Sequence, residues 1–445
     1  VAAELLDELV EWLRIPSISS GGGDPADLRR AAEWVRERVA DAGGSAGLLD
    51  LPDGRSPLAV GELTARRADA PTVLIYGHYD VQSPDPVEEW TSPPFEPEVR
   101  DGRLYARGAS DDKGNFLPLL HVACRLAQAG ELPVHIRVLV EGEEERGGDG
   151  ATRWVEEDER GADCAIVFDG GMVDEHTPAL TLGVRGMAYA QIVVRTGERN
   201  LHSGVYGGSV LNALHVLHAM LARVLPGPDG VVPEALREGI QPPPEIERRA
   251  WRELPPGEEV LREEGGRPVD AAAGDRFYER NWGDASLDVH GIAGGDAFQR
   301  RTIIPATARA MVSLRLAPGQ RSLDAFADLE RLLREGAPPG ADVEITEAGL
   351  GEPSAFDPTT PALRLAAEAL EAASGTRPAL VRSGGSIPVL APFAAKGIPV
   401  VLSGFAVAAD NIHAPDESYR LEALRLGERA AKELYDRLAT LRSQG

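Results

Sequence analysis

Val140-Glu141-Gly142-Glu143-Glu144-Glu145-Arg146-Gly147-Gly148 continues a short, mostly apolar run, Ile136 to Val140, that has the length and composition of a buried strand. A strand ending this way delivers carboxylates where a sheet opens into a cleft, the place where α/β sheets bind ligands. Acids clustered there are costly. Like charges a few ångströms apart raise one another's pKa or call for a cation, so metal coordination and proton sharing are the usual ways to hold several together. Taken alone, Glu143-Glu144-Glu145 reads as a solvated acidic loop, as charge runs usually do. The neighbouring segments decide between the two.

Upstream, residues 4–14 and 26–42 carry helical periodicity, with Gly21-Gly22-Gly23 as a breaker between them. Thr72-Val73-Leu74-Ile75-Tyr76 is a near-continuous apolar run that ends at Gly77-His78-Tyr79-Asp80. A proline-rich loop leads to Arg107-Gly108-Ala109-Ser110-Asp111-Asp112-Lys113-Gly114, and a helix is predicted from about Asn115 to Gln128. Cys164 to Phe168 is a further apolar strand, ending at Asp169-Gly170-Gly171. Buried strands separated by helices predict an α/β domain with a mostly parallel sheet.

From Met187 the pattern changes. Strands are predicted at Met187 to Arg195, Ser286 to His290, Ala308 to Leu316 and Asp342 to Glu347, with helices at Ser209 to Val224 and Leu323 to Arg334. This βαββαβ order suggests a ferredoxin-like α+β domain. A proline-rich, charged stretch, 226–275, interrupts it and reads as surface segments and short helices. After Gly351 the α/β pattern resumes with a helix at Ala362 to Ala373, a strand at Ala379 to Val381, the turn Ser383-Gly384-Gly385-Ser386, a strand at Val400 to Leu402 and a helix from Leu421 to Leu441. The expected organisation is therefore a catalytic domain in two parts, 1–185 and 351–445, interrupted by an inserted lid and dimerisation domain, 186–350.

The 445 residues, 43% of them hydrophobic, suffice for two or three domains with sizeable cores. A formal charge of −25 argues against nucleic acid or an anionic membrane surface as partner, since both reward basic patches. No apolar run approaches the roughly 20 residues of a membrane span, and Val1 to Leu13 reads as an amphipathic helix. The chain starts at Val1 rather than Met, which leaves room for an upstream segment. Cys124 and Cys164 match neither a disulfide framework nor zinc-thiolate spacing, and read as core residues in a reducing cytoplasm.

His78, Asp111, Glu145, Asp169 and His413 supply two imidazoles and three carboxylates, a set suited to two divalent cations bridged by one carboxylate. Zinc is the first expectation, with Mn and Co accepting the same donors. His121, His215 and His218 lie on apolar helical stretches and read as packed or surface residues; His135, His176 and His290 belong to no motif.

Seven motifs, spread over nearly the whole chain, then carry a resemblance: Gly77 to Gln82, Gly108 to Gly114, Glu141 to Glu145, Asn200-Leu201-His202-Ser203-Gly204-Val205-Tyr206-Gly207-Gly208, Thr302-Ile303-Ile304-Pro305, Gly384-Gly385-Ser386-Ile387-Pro388 and Asn411-Ile412-His413. In this order they resemble the M20 metallopeptidases, and within them the carnosinase-like dipeptidases. The resemblance implies that His78 and Asp169 would bind one metal, Glu145 and His413 the other, and Asp111 both. Glu144 would be the general base, with Asp80 orienting His78. It also implies a cis peptide at Asp111-Asp112, a His202 that reaches across a homodimer to the oxyanion, and a substrate held by Thr302, Arg315 and Ser386, with Arg315 on its free C-terminal carboxylate.

Glu143 reads as a solvated neighbour and Asp112 as a loop-shaping residue. Ser383 and Asn200 depart from the Glu and Asp frequent in these dipeptidases, and 347–358 lacks a histidine that carnosinase-like enzymes carry. These departures bear on the substrate's side chain rather than on the metal ligands. The expected function is a two-metal hydrolase of dipeptides or short peptides. The alternatives are an aminoacylase or N-carbamoyl-amino-acid amidohydrolase, and a catalytically silent peptide-binding dimer.

Overall fold

The computed structural model describes residues 3–441. The chain forms two compact units, one made of Val1–Leu182, Phe356–Val381 and Pro388–Gly445, the other of Gly183–Ala355 and Arg382–Ile387. Among the described residues no helix is long and apolar enough to cross a membrane.

The first unit is built on a sheet whose strands include β1 (Ser45–Leu49), β2 (Leu58–Leu63), β3 (Thr72–His78), β4 (His135–Glu141), β5 (Cys164–Val167), β6 (Ala179–Val184) and the strand Val400–Leu402. They lie in the order β1-β2-β4-β3-β5, then Val400–Leu402, then β6. The sheet is mixed rather than mostly parallel. The middle pairs β4 with β3, β3 with β5, and β5 with Val400–Leu402 are parallel, while β1 with β2, β2 with β4, and Val400–Leu402 with β6 are antiparallel. The reason is local: segment 50–57 is too short to hold a crossover helix, and a parallel connection needs a dozen or more residues. β3 and β5 are buried almost throughout and so read as continuous apolar runs, whereas β1 is only partly covered and gives a weak signal.

Helices Ala3–Leu13 and Pro25–Asp41 bury Trp12 and Trp34, whose rings stack with centroids 5.0 Å apart. Observed helices and strands lie within a few residues of the expected spans; the closing helix, for example, ends at Leu438. Two glycines let backbone pass close to side chains at the carboxyl ends of the central strands. A Cβ on Gly142 would come within 2.3 Å of the Tyr79 ring, and one on Gly77 within 2.5 Å of Phe116.

The second unit holds a four-stranded antiparallel sheet made of β7 (Gly186–Arg195), β9 (Ser286–Ala293), β11 (Thr307–Leu316) and β12 (Asp342–Gly351), in the order β9-β11-β7-β12. A small ladder joins β8 (Leu201–His202) to β10 (Ile303–Ile304). Helices Ala213–Leu221 and Ser322–Glu335 pack on the sheet, closing a core that includes Ile192, Leu217, Met220, Val312, Leu329 and Leu333. The 226–275 stretch is more ordered than expected. Its helix Glu245–Trp251 buries Trp251 and Glu247, and Glu247 forms a bidentate ion pair with the buried Arg382 (2.6 and 3.0 Å).

In the first unit the loop 107–111 is held by one carboxylate. Glu417 accepts from Arg107 Nη1 (2.7 Å) and from the backbone N–H groups of Gly108 (2.9 Å), Ser110 (2.9 Å) and Asp111 (3.1 Å). Both side chains of the ion pair are 1% exposed. A buried charge that loses its partner costs about 3–5 kcal/mol, so Arg107→Met and Glu417→Leu should each destabilise by about that much. In the double variant no charge is left alone, and its loss, measured by denaturant unfolding, should fall well short of the sum of the two. Additive losses would show that the pair is not coupled.

Candidate active site

The carboxyl ends of the parallel strands place most of the expected ligands. His78 is the last residue of β3, Glu144 and Glu145 begin a short 3-10 turn after β4, and Asp169 lies two residues beyond β5. Asp111 comes from the loop held by Glu417, and its peptide bond to Asp112 is cis, as the resemblance implies. His413 lies in the Asn411–His413 loop, where both named residues adopt left-handed φ.

These side chains form two groups with a shared member. His78, Asp111 and Asp169 offer ligand atoms all within 4.8 Å of one another, and so do Asp111, Glu145 and His413. His78 Nε2 lies 3.0 Å from Asp111 Oδ1, and His413 Nε2 lies 3.0 Å from Asp111 Oδ2 and 3.1 Å from Glu145 Oε2. On its other side His78 Nδ1 meets the backbone carbonyl of Asp80 at 3.0 Å, and a carbonyl can only accept. A neutral His78 therefore keeps its proton on Nδ1 and turns the Nε2 lone pair toward the Asp111 carboxylate. Two lone pairs facing each other at 3.0 Å call for a cation or a proton between them. The donor set, nitrogen and oxygen without thiolate, fits a pair of divalent ions such as Zn, Mn or Co.

The electrostatics agree. Burial would raise the Asp111 carboxyl, but hydrogen bonds to His413 and His78 outweigh it and hold the group below its usual range. Hydrogen bonds to Asp111 and Glu145 push His413 up to about 10. Burial, reinforced by the charges of Asp112 and Asp111, drives Asp169 well upward. Burial also lifts Glu144 to about 7, with Asp111, Glu145 and Asp80 adding to the effect. A site that penalises its own negative charges in this way is one that a cation stabilises.

Around these groups lies a layer of residues that the sequence reading caught only in part. Asp80 Oδ2 accepts from the Glu145 backbone N–H (3.1 Å) and from Ser19 Oγ (2.5 Å), while Oδ1 lies 3.4 Å from His78 Nδ1, so this carboxylate steadies both strand ends at once. Gln82 Nε2 donates to Glu145 Oε2 (3.0 Å). Asp112 accepts from the His78 backbone N–H (3.2 Å), the loop-shaping role expected of it. Glu143 is not a solvated neighbour. It is 1% exposed and takes Arg55 Nε (2.7 Å), Arg55 Nη2 (2.5 Å) and the Ser56 N–H (3.2 Å), because its side chain turns to the side of the turn opposite Glu144 and meets a cation from the 50–57 loop. Neither Gln82 nor Arg55 carried a signal of its own: Gln82 ended a motif without a role, and Arg55 lies in a loop remote in sequence.

Among the remaining histidines, His121 pairs with Glu8 (2.8 Å) and His290 contacts Ser313 Oγ (2.8 Å), while His215 and His218 are exposed. None joins the two groups. Cys124 and Cys164 are held up at about 12 by burial and stay thiols.

In the second unit, His202 and Thr302 come together across the β8–β10 ladder. His202 Nδ1 accepts from the Gly204 N–H (3.0 Å), which leaves Nε2 as the protonated nitrogen, 3.3 Å from Thr302 Oγ1. Arg315 lies half-buried on β11, and Ser386 in the turn 383–386 stands 3.7 Å from where a Cβ on Gly351 would be.

Because Asp111 belongs to both groups and Asp169 to one, Asp111→Asn should abolish binding of both ions, whereas Asp169→Asn should leave one per chain. Elemental analysis of the purified variants reads this directly, and one retained ion in Asp111→Asn would refute the shared-ligand arrangement.

A family model for peptidase family M20/M25/M40 matches residues 74–437. The chain is 32% identical over 406 residues to a cysteinylglycine-S-conjugate dipeptidase of Corynebacterium striatum, covering 87% of this chain and 85% of that one. It is 28% identical over 416 residues to the human Beta-Ala-His dipeptidase, covering 88% and 81%. Among solved structures, an M20 family metallo-carboxypeptidase from Sulfolobus solfataricus superposes with a TM-score of 0.87 at 27% identity, over 98% of this chain and all of that one. With its two candidate metal-ligand groups joined through Asp111, the chain belongs to peptidase family M20/M25/M40.

Proposed function

We propose that the protein is a dinuclear metallopeptidase that cleaves the peptide bond of dipeptides or short peptides bearing a free C-terminal carboxylate. The observation that carries this reading is the sharing of Asp111 by two candidate ligand groups, with Glu144 next to Glu145 in the chain and within the electrostatic reach of His78 and Asp111. The names of the relatives, which are dipeptidases and a carboxypeptidase, support the peptide substrate over an N-carbamoyl or N-acyl amino acid. A silent peptide-binding dimer would have no use for a carboxylate beside five ligands.

His78 and Asp169 would hold one ion, Glu145 and His413 the other, and Asp111 both. Such ions polarise a scissile carbonyl and make water acidic enough to attack at neutral pH. Glu144 takes the proton of the attacking water and returns it to the leaving nitrogen. Asp80 keeps the His78 ring in place and its Nε2 unprotonated. We assign the second unit as a ferredoxin-like lid and dimerisation module, supported by the order β9-β11-β7-β12 and its two helices on the sheet. His202 of the partner subunit would donate from Nε2 to the developing oxyanion, while Thr302, Arg315 and Ser386 hold the substrate.

Two outcomes test the reading on a dipeptide panel. Glu144→Gln should lower kcat by orders of magnitude with both ions still bound; co-expressed with His202→Ala, it should recover about a quarter of wild-type activity, since half of randomly paired dimers carry one intact site. Full turnover by Glu144→Gln, or no recovery in mixed dimers, would remove the respective assignment. Amidating the substrate's C-terminal carboxylate should cost about 2–5 kcal/mol in kcat/KM by leaving Arg315 without its partner; equal rates on acid and amide would exclude that role.

A further inference from the structure

Arg185 is a buried cation that the reading above does not use. Its backbone N–H donates to the carbonyl of Ser383 (3.1 Å), which seats it beside the Ser383-Gly384-Gly385-Ser386 turn. On the sheet, Arg315 of β11 stands opposite Ser286 of β9, and directly opposed residues of an antiparallel pair project to the same face. Arg185 Nη1 donates to that Ser286 Oγ (2.9 Å), so the two guanidinium groups are neighbours. Arg185 is 9% exposed, and its Nε is buried without a partner.

Among the described residues no carboxylate forms an ion pair with either arginine. Asp288 attracts Arg185, yet it is exposed and forms no hydrogen bond with it. Burial, with the repulsion of Arg315, lowers Arg185 to about 10. A buried cation held beside a half-buried one is costly unless an anion joins them. Among the described residues, neither Nε nor Nη2 of Arg185 has a hydrogen-bond acceptor. A Cβ on Gly384 would stand 3.4 Å from Nη2 and 3.9 Å from Nε, so the backbone passes the Nε/Nη2 edge with no side chain over it. That edge is one through which an arginine grips a carboxylate with two parallel hydrogen bonds.

We propose that Arg185 and Arg315 form a two-cation subsite for a dicarboxylate, Arg315 taking the α-carboxylate and Arg185 the side-chain carboxylate of a substrate ending in Asp or Glu. The assignment rests on the role given to Arg315 above and names the substrate class of that same site. Arg185 is then a specificity-determining residue.

Glutarate and its monoamide are the probes, titrated calorimetrically into the full-length protein. Glutarate should bind roughly tenfold to a hundredfold more tightly than the monoamide, the range of a charge-assisted pair. Arg185→Gln should erase that difference. Gly384→Ala, which sets a methyl group against the Nε/Nη2 edge while keeping the charge, should shrink it, and this variant decides the matter if Arg185→Gln does not fold. With dipeptides, Arg185→Gln should raise KM for Xaa-Glu but not for Xaa-Gln; general loosening of the turn would weaken both alike. Equal affinity for glutarate and its monoamide in the wild type, or a preference unchanged in both variants, overturns the proposal. Glutarate selectivity without any dipeptide cleavage would remove the proposed reaction and leave the subsite; cleavage with no Arg185-dependent preference for Xaa-Glu would do the reverse.

Discussion

Everything at the metal-ligand groups depends on where one carboxylate, Glu417, sits. It lies outside the seven motifs, yet it binds the N–H groups of Gly108, Ser110 and Asp111 as well as the Arg107 guanidinium. A loop with three N–H groups converging on one buried acceptor has little freedom, and Asp111 is thereby set between His78 and His413. Both charges are out of water, so the arrangement holds only while the two are together. The ligand that joins the two groups is thus placed by an ion pair rather than by a strand or helix.

A second constraint is the density of negative charge. The acids around the site are sorted by what opposes each one. Glu143 is neutralised by Arg55, and Glu141 is pushed up to about 8 by burial while Tyr76 Oη donates to it (2.6 Å). Asp80 is engaged by backbone and hydroxyl donors. Asp111, Asp112, Glu144, Glu145 and Asp169 remain without a permanent counter-charge, and it is around Asp111 and the two histidines that cations are called for. The second unit presents the opposite case: Arg382 is matched by Glu247, whereas Arg185 and Arg315 stand beside each other without a carboxylate. One unit leaves anions unmatched and the other leaves cations, as expected if ions fill the first and an anionic substrate group the second.

Of the candidate ligands, His78 and Asp169 were legible because they close buried strands, whereas Asp111 and His413 lie in loops and were legible through their motifs. Val73–Tyr76 and Cys164–Phe168 are fully buried, so their apolar runs stop abruptly, and the polar residue after each stop is conspicuous. Ser45–Leu49 at the sheet edge and its neighbour Leu58–Leu63 had no such contrast, and missing them led to a mostly parallel sheet where a mixed one exists. Glu143 was misjudged for a related reason: three consecutive glutamates look alike in sequence, and only the turn sends one toward Arg55 and the next toward the ligands.

The sequence by itself determined the α/β alternation, the change of pattern at Met187 and the five metal-ligand candidates, because strand burial and motif spacing are properties of short segments. Only the tertiary structure decided which acids are neutralised, that Glu417 holds Asp111, that Gln82 supports Glu145, and that Arg185 comes to lie beside Arg315. Those are pairings between residues up to some three hundred positions apart, as Asp111 and Glu417 are. A carboxylate's chemistry depends on the charge brought opposite it, and no local pattern records which distant residue that will be.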